Sequence, residues 1–264
     1  MSWESLTGHG IAYQASEADS RRFGLSVARV TVGWDHDNAA AELTEVLRDA
    51  PEDLLIVRWP SHDLTLGSAA ARSGRVLIPA DVLTYWESPA GRMDDRAARA
   101  SSSETELTCT PASAYPGDPR AAITAIVEDS FAAYGNHYRA NPALDPGLAL
   151  QGYVEWATNT WAQNPDDVLI LAHGGEAVGV ATLAQDSTGQ DLEILLAGIV
   201  SGHQSKGWYG TLLEAVDRAA VERSCARVII STQAHNVRVQ RAWARLGLRP
   251  FAAITTVHAV RALA

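Results

Sequence analysis

The heptapeptide Gln204-Ser205-Lys206-Gly207-Trp208-Tyr209-Gly210 lies between a stretch that reads as a strand and one that reads as a helix. Glycine lets a backbone approach a ligand closely. The first amides of a helix have no internal partners and meet an anion with the positive end of the dipole. A pyrophosphate placed there needs few side chains. Lys206 is the only lysine in the chain and could add a point charge beside it. Strand-to-helix turns also carry glycines for tight packing alone, so the flanking elements must decide.

Those elements are legible as patterns. Leu192 to Val200 reads as the strand feeding the loop, and Trp208 to Arg223 as the helix leaving it, with Leu212, Leu213, Val216, Ala219 and Ala220 on one face. Ala226 to Ser231 follows as a strand, Val237 to Leu246 as a helix closed by Gly247, and Ala252 to Val260 as a last strand. Upstream, Val168–Ala172 and Val178–Leu183 flank His173-Gly174-Gly175, a hairpin signal. Helices are expected over Pro119 to Tyr134 and Gly147 to Trp161, after a strand at Glu106–Pro111. The first section mixes strands (Leu25 to Val32, Asp53–Val57, Val76 to Trp86) with short helices (Ala39 to Leu47, Leu64 to Ser73). Between the two sections, residues 88–105 are small, polar and aperiodic, and read as a linker. The expected division is an N-terminal α/β section over 1–100, on the acceptor side or structural, and a catalytic domain over 101–264.

With these elements in place, residues 105–264 resemble the GCN5-related N-acetyltransferase (GNAT) superfamily. Its motif Q/R-x-x-G-x-G/A binds a pyrophosphate and is followed by an asparagine and a Y/W-x-x-x-G-F run. Gln204, Gly207 and Asn236 match it; Tyr209 stands in place of the second small residue, and Leu248 in place of phenylalanine. The resemblance implies a GNAT fold, a mixed, splayed central sheet flanked by helices, with the N-terminal section a candidate degenerate GNAT-like half. It implies acetyl-CoA as co-substrate and no metal. The cofactor contacts it carries over are Ala197, Gly198, Ile199 and Val200 on the strand, Gln204, Ser205, Lys206, Gly207, Trp208, Tyr209, Gly210 and Thr211 at the loop, and Asn236 and Trp243 beyond it. Gly198 would then allow close approach beside the thioester. Asn236 also suits a plain helix N-cap.

Amine acylation needs a group that accepts a proton and another that steadies an oxyanion. Glu193 lies eleven positions before Gln204, the offset of the general base in the histone acetyltransferase branch. Burial would have to raise its pKa. His258 and His137 are rival bases. The superfamily's usual tyrosine acid aligns with Trp243, which donates no acidic proton, so Tyr209 serves or no acid is needed. The acceptor pocket is expected from the first section and from Tyr138, Tyr153, Glu155 and Trp156. Stretches such as Arg21–Arg29, Asp53–Ser61 and Gly152–Trp156 resemble dTDP-fucosamine acetyltransferases, implying an amino sugar on a nucleotide as acceptor.

Bulk properties bound the alternatives. A net charge of -10 disfavours general nucleic-acid binding. The two cysteines, Cys109 and Cys225, lack metal-ligand spacing and suit a reducing cytoplasm. No leader is legible at the N-terminus, and no apolar run reaches the ~18 residues of a membrane span. With no cysteine near the loop, attack is expected to be direct. The expected partner is a small-molecule amine; a carrier-protein phosphopantetheine or non-acetyl donor, a catalytically silent CoA sensor, and self-association as a homodimer stay open.

Overall fold

The computed structural model describes residues 3–93 and 107–261. The first section supplies β1 (Ile11–Ala15), α1 (Glu17–Phe23), β2 (Val27–Val32), α2 (Ala39–Asp49), β3 (Leu54–Pro60), α3 (Thr65–Ala71) and β4 (Val76–Pro89). The second supplies β5 (Leu107–Pro111), α4 (Pro119–Phe131), α5 (Pro146–Gln163), β6 (Val168–His173), β7 (Glu176–Gln185), β8 (Asp191–Ile199), α6 (Trp208–Glu222), β9 (Arg227–Gln233), α7 (Val237–Arg245) and β10 (Arg249–Val260). Among the described residues no helix is long and apolar enough to cross a membrane.

The expected elements form near their expected bounds for local reasons. Gly174 and Gly175 both take positive φ, giving the two-residue turn in which His173 pairs with Glu176. Asp118 caps α4 by accepting from Ala121 N–H, with Pro119 at the first helical position. Gly247 ends α7 at φ 89°, and Leu248 N–H reaches back to Trp243 C=O at 3.0 Å. β1 and α1 were not expected; β1 is short and mostly exposed, so it lacks an apolar run to announce it. The expected linker starts later than its composition suggests. Ser88 and Pro89 complete β4, and Met93 is buried, its N–H and that of Gly91 donating to Asp217 on α6 at 3.1 and 2.9 Å. Residues 94–105 of that stretch, and Glu106, lie outside the described residues.

One sheet joins both sections in the order β1-β2-β3-β10-β4-β9-β8-β7-β6-β5. The order is nearly palindromic about the β10/β4 pair. In each section a parallel pair (β2 with β3, β8 with β9) brackets a helix, a second helix follows, and a final strand crosses to the other section. Thus β4 lies between β10 and β9, and β10 between β3 and β4, all antiparallel. The first section repeats this strand-helix-strand-helix-strand order on a smaller scale. Each final strand, exchanged this way, pairs beside the other half's parallel pair, β4 on β9 and β10 on β3, so neither half completes its sheet alone.

The two parallel pairs differ at one point. β2 and β3 stay paired from Val27↔Leu54 to Thr31↔Arg58. β8 and β9 pair only from Asp191↔Arg227 to Ile194↔Ile230, although both strands continue. Opposite β7 the register jumps between Thr182↔Leu196 and Leu183↔Ile194, which makes Leu195 an extra residue in β8. Such a bulge bends its strand. Beyond it β8 parts from β9. The paired end is held by Arg227, whose guanidinium donates to both oxygens of Asp191 (2.7 and 2.8 Å) and to Glu87 on β4 (2.5 Å). These groups are partly exposed. Bidentate charge-assisted pairs outperform ordinary surface ion pairs, and solvent screening reduces the gain. Arg227→Met is expected to lower unfolding free energy by about 1–2 kcal/mol in urea titration, more than Arg223→Met, whose pair joins only a helix end to a loop.

Candidate functional site

A cavity of about 1100 Å³ runs along the opening between β8 and β9. One end is lined by Gln204, Ser205 and Gly207, the middle by Gly198, Thr232 and Tyr209, and the far end by Arg58, Tyr138 and Glu155. Its dimensions exceed those of an ordinary drug-sized site.

At the loop end the backbone is shaped for an anion. Ser205 and Gly207 take positive φ (68° and 85°), and Gly207 caps α6. A serine in this conformation is costly, and alternation with a helix start aims successive N–H groups to one side. Gln204 braces the loop by donating to Ile199 C=O at 3.1 Å. Arg238 on α7 donates to Gln204 Oε1 at 3.2 Å and to Ser205 Oγ at 3.1 Å, and lines the cavity. It places a guanidinium where sequence reasoning looked only to lysine. Lys206 itself turns away: its Nζ lies 3.1 Å from His203 Nδ1 and 4.7 Å over the Trp208 ring, and it is not among the lining residues.

Along the opening, Ala197, Gly198 and Ile199 line the cavity, while Val200 does not; its N–H bonds Val178 C=O and its side chain packs into the core. Thr211 likewise stays out of the lining. The reason for glycine at 198 differs from expectation. A Cβ there would lie 2.6 Å from Ser130 Oγ, so the missing side chain admits α4. Asn236 lines the cavity and makes no N-cap bond; its amide donates to Thr232 Oγ1 at 3.0 Å, on the β9 side of the opening. Trp243 is 1% exposed and its indole N–H donates to the Tyr209 hydroxyl at 3.1 Å. The Tyr209 oxygen is thereby occupied as acceptor while its own proton stays available to the cavity, and burial pushes its pKa up.

Glu193 lies on β8 just before the bulge, lines the cavity, and is 6% exposed. Its Oε2 accepts from Trp3 N–H at 2.6 Å. Burial raises its pKa to about 7, against the lowering effect of that bond. The carboxylate is therefore poised to exchange a proton near neutrality.

The rival histidines are arranged otherwise. His258 is fully buried behind His137 and takes no part in the lining. Arg58 can only donate, so His137 Nε2, at 3.2 Å, accepts. His137 then carries its proton on Nδ1 and donates to His258 Nε2 at 2.9 Å. His258 in turn holds its proton on Nδ1, where it finds no partner among the described residues. Burial and the Arg58 charge hold both rings neutral, His258 down to about 4 and His137 well below its usual range. Both accepting nitrogens are engaged, which suits positioning of Arg58 and leaves neither ring a base facing the cavity.

Tyr138, Tyr153, Glu155 and Trp156 all line the far wall. Tyr153 stacks on Phe131 (5.4 Å, 23°), and Glu155 accepts from Arg22 at 2.6 Å. The first section adds residues that sequence reasoning did not single out: Asp19, Arg22, Arg29, Arg58 and Asp81. Fully buried Asp19 accepts from Arg22, Arg29 and Tyr138 at 2.7–3.1 Å, and these cations hold its pKa down against burial. Arg29 and Arg58 interrupt apolar strands on the face toward α1, a charge-in-strand signal that was available. Neither Cys109 nor Cys225 reaches the cavity, and burial raises both thiols.

The family profile described as "Acetyltransferase (GNAT) family" matches residues 126–248. No curated protein sequence matches the chain. Among solved structures, a GCN5-related N-acetyltransferase from Sphaerobacter thermophilus is similar at TM-score 0.60 and 14% identity, over 95% of this chain and 76% of that one. A GCN5-related N-acetyltransferase from Kribbella flavida gives TM-score 0.56 and 15% identity, over 89% and 81%. A tandem GNAT protein from the clavulanic acid biosynthesis pathway gives TM-score 0.55 and 17% identity, over 90% and 76%. The fold is thus the GNAT fold in a two-half form.

The neutral histidine pair predicts a pH dependence of stability. A histidine whose folded pKa is depressed stabilises above its unfolded value of about 6.5, and that stability is lost as pH falls toward about 4. Urea midpoints are expected to decline over this window. In His258→Asn, which keeps an acceptor for His137, the decline should be shallower; an unchanged slope would rule out this assignment.

Proposed function

From a chain with the GNAT fold, whose residues 126–248 match the acetyltransferase (GNAT) family, we propose an N-acyltransferase that moves an acetyl group from acetyl-CoA to a primary amine. The observation that carries the reading is the opening between β8 and β9 beyond Ile194↔Ile230, which ends at the positive-φ loop and the α6 N-terminus. The pyrophosphate would lie on the amides of Gly207 and the first turn of α6, with Arg238 beside it. The pantetheine would lie along Ala197–Ile199, whose edge toward β9 has no strand partner, and pair with it as an added strand does. Asn236 would contact it from α7.

The thioester would then sit near Thr232 and Tyr209. The acceptor amine attacks its carbonyl when neutral, and its lost proton goes toward Glu193, directly or through water. The carbonyl oxygen gains charge and is steadied by N–H groups of β8 past the bulge. The C–S bond breaks, and the sulfur leaves as a thiolate that accepts a hydrogen bond from the Tyr209 hydroxyl. Burial holds that phenol protonated, and a thiol ionising near ~8.5 leaves without taking its proton. The remoteness of both cysteines favours direct attack over a covalent acyl-enzyme. As acceptor we favour an amino sugar on a nucleotide, on the likeness to dTDP-fucosamine acetyltransferases and on a far wall that mixes aromatic and polar groups.

Titration calorimetry is expected to give one CoA per chain, bound in the second section only, because β2 and β3 do not part and the loop after β2 carries Asp35 and Asp37. Gly207→Val should raise the KM for acetyl-CoA roughly tenfold through loop strain. A thiol-release screen over amino-sugar nucleotides, aminoglycosides and peptides tests the transfer; CoA binding with no acceptor turned over would make the chain a sensor. With an acceptor in hand, kcat/KM should rise with pH through about 7. Glu193→Gln should remove that limb and cost about 10²–10⁴-fold in rate; a retained limb would exclude Glu193 as base.

A further inference from the structure

Glu193 has two sides. One faces the large cavity, and the other faces a single 3₁₀ turn near the N-terminus, Trp3–Leu6. The Trp3 backbone N–H donates to Glu193 Oε2 at 2.6 Å, across 190 positions of sequence. That is shorter than an ordinary amide hydrogen bond and fits a charged acceptor. Behind the carboxylate, Trp3, Glu4, Asp186, Asp191 and Glu193 enclose a second space of about 40 Å³. A space of that size admits water but no ligand.

A turn of four residues has too few internal bonds to hold itself, so tertiary packing must hold it. The Trp3 indole is buried against three rings, with centroids at 4.8 Å from Phe251 on β10, 5.0 Å from Tyr85 on β4 and 5.8 Å from Trp34. Ile229 and Ile254 complete the packing, and Ile229 is the residue paired with Glu193 on β9. Leu6 is fully buried, and its C=O accepts from Trp34 N–H at 3.1 Å. The Glu4 carboxylate accepts from Ser187 N–H at 3.0 Å, in the turn between β7 and β8. A Cβ at Gly33 would lie 1.9 Å from Gly8 C=O, so glycine there admits the segment that leads from the turn to β1. Contacts from both sections thus fix where the Trp3 N–H points.

The same turn decides what surrounds the carboxylate. Among the described residues, the ionisable groups acting on Glu193 are Asp191 on its own strand, Glu4 on the turn and the Tyr85 phenol on β4. Both carboxylates oppose its charge, as does burial, the largest effect, while the Trp3 N–H favours it. Trp3 is not among the residues that line the large cavity. We propose that the turn is a positioning element for the acyl transfer: Trp3, clamped by Phe251, Tyr85 and Trp34, aims the Glu193 carboxylate at the large cavity and closes its rear to solvent. Trp3 acts through Glu193 and touches no substrate. Its catalytic meaning rests on the reading of Glu193 as proton acceptor; the clamp itself exists without any reaction.

The test begins on the wild-type chain without substrate. The Glu193 carboxyl carbon and the Trp3 amide are followed by NMR as pH is taken across neutrality. Both are expected to move with one midpoint of about 7, and Glu193→Gln should abolish the movement of the amide. Trp3→Ala keeps an N–H but releases the clamp. The carboxyl midpoint should then fall by about one pH unit or more, because water at the rear removes the largest cause of its elevation. Trp3→Phe should keep the midpoint near wild type. Leu66→Ala, which opens a separate apolar cluster in the first section, should leave it unmoved. With an acceptor in hand, the limb of kcat/KM in Trp3→Ala should shift with the carboxyl midpoint. Its plateau kcat should fall roughly tenfold while the KM for acetyl-CoA holds, since the turn does not touch the donor loop. An amide that ignores the titration, or a midpoint unchanged in folded Trp3→Ala, would overturn the proposal. The wild-type titration stands if Trp3→Ala misfolds. Thiol release is measured in parallel. A coupled titration without transfer sinks the acyltransfer reading alone, and transfer with an uncoupled amide sinks this inference alone.

Discussion

The parting of β8 from β9 is the constraint on which the rest of the molecule depends. Two parallel strands buried in a sheet gain by pairing along their whole length, since each unpaired backbone group in a buried place costs free energy. Here the pairing stops at Ile194↔Ile230 because Leu195 is one residue too many for the β7 partner. The bulge turns β8 while Arg227, anchored on Asp191 and Glu87, holds the other end closed. The result is a wedge with backbone edges directed into a cavity, and the positive-φ loop lies at the end of the strand that turned away.

The two halves use the same topology differently. In the first half the parallel pair stays zipped, and the helix after it begins behind Asp35 and Asp37, which repel rather than attract phosphate. That half contributes the charged wall of the cavity: Arg29 and Arg58 from its parallel pair, Asp81 from its crossing strand, Asp19 and Arg22 from α1. The exchange of β4 and β10 across the pseudo-twofold brings this wall against the wedge. The charged wall and the wedge therefore come from different halves of one sheet.

Burial of ionisable groups has been resolved in three ways. Asp19 is kept charged by two guanidinium groups. His137 and His258 are kept neutral in a single tautomeric order imposed by Arg58, which can only donate. Glu193 lies between these extremes, with a backbone N–H that favours its charge and burial that opposes it. A group balanced in this way titrates near neutrality.

The sequence by itself determined the local elements and the loop between β8 and α6. Alternation, helical spacing and turn glycines fixed most strands and helices, because those patterns reflect one face buried against something, whatever that something is. Gln204, Gly207 and Asn236 marked the loop because their roles depend on backbone geometry that short-range sequence imposes. Only the tertiary structure decided what each side chain faces. Lys206 could not be known to turn onto His203 and Trp208, nor Arg238 to take the position at the loop, since the two arms start from different elements. Gly198 looked like room for a ligand and proved to be room for Ser130. His258 could not be told from an exposed base until His137 covered it. The row of Arg58, Thr256 and Asp81 joins residues nearly two hundred positions apart through strand register alone. Register across an exchanged pair of strands is set by the summed packing of both halves, and no local stretch of sequence contains it.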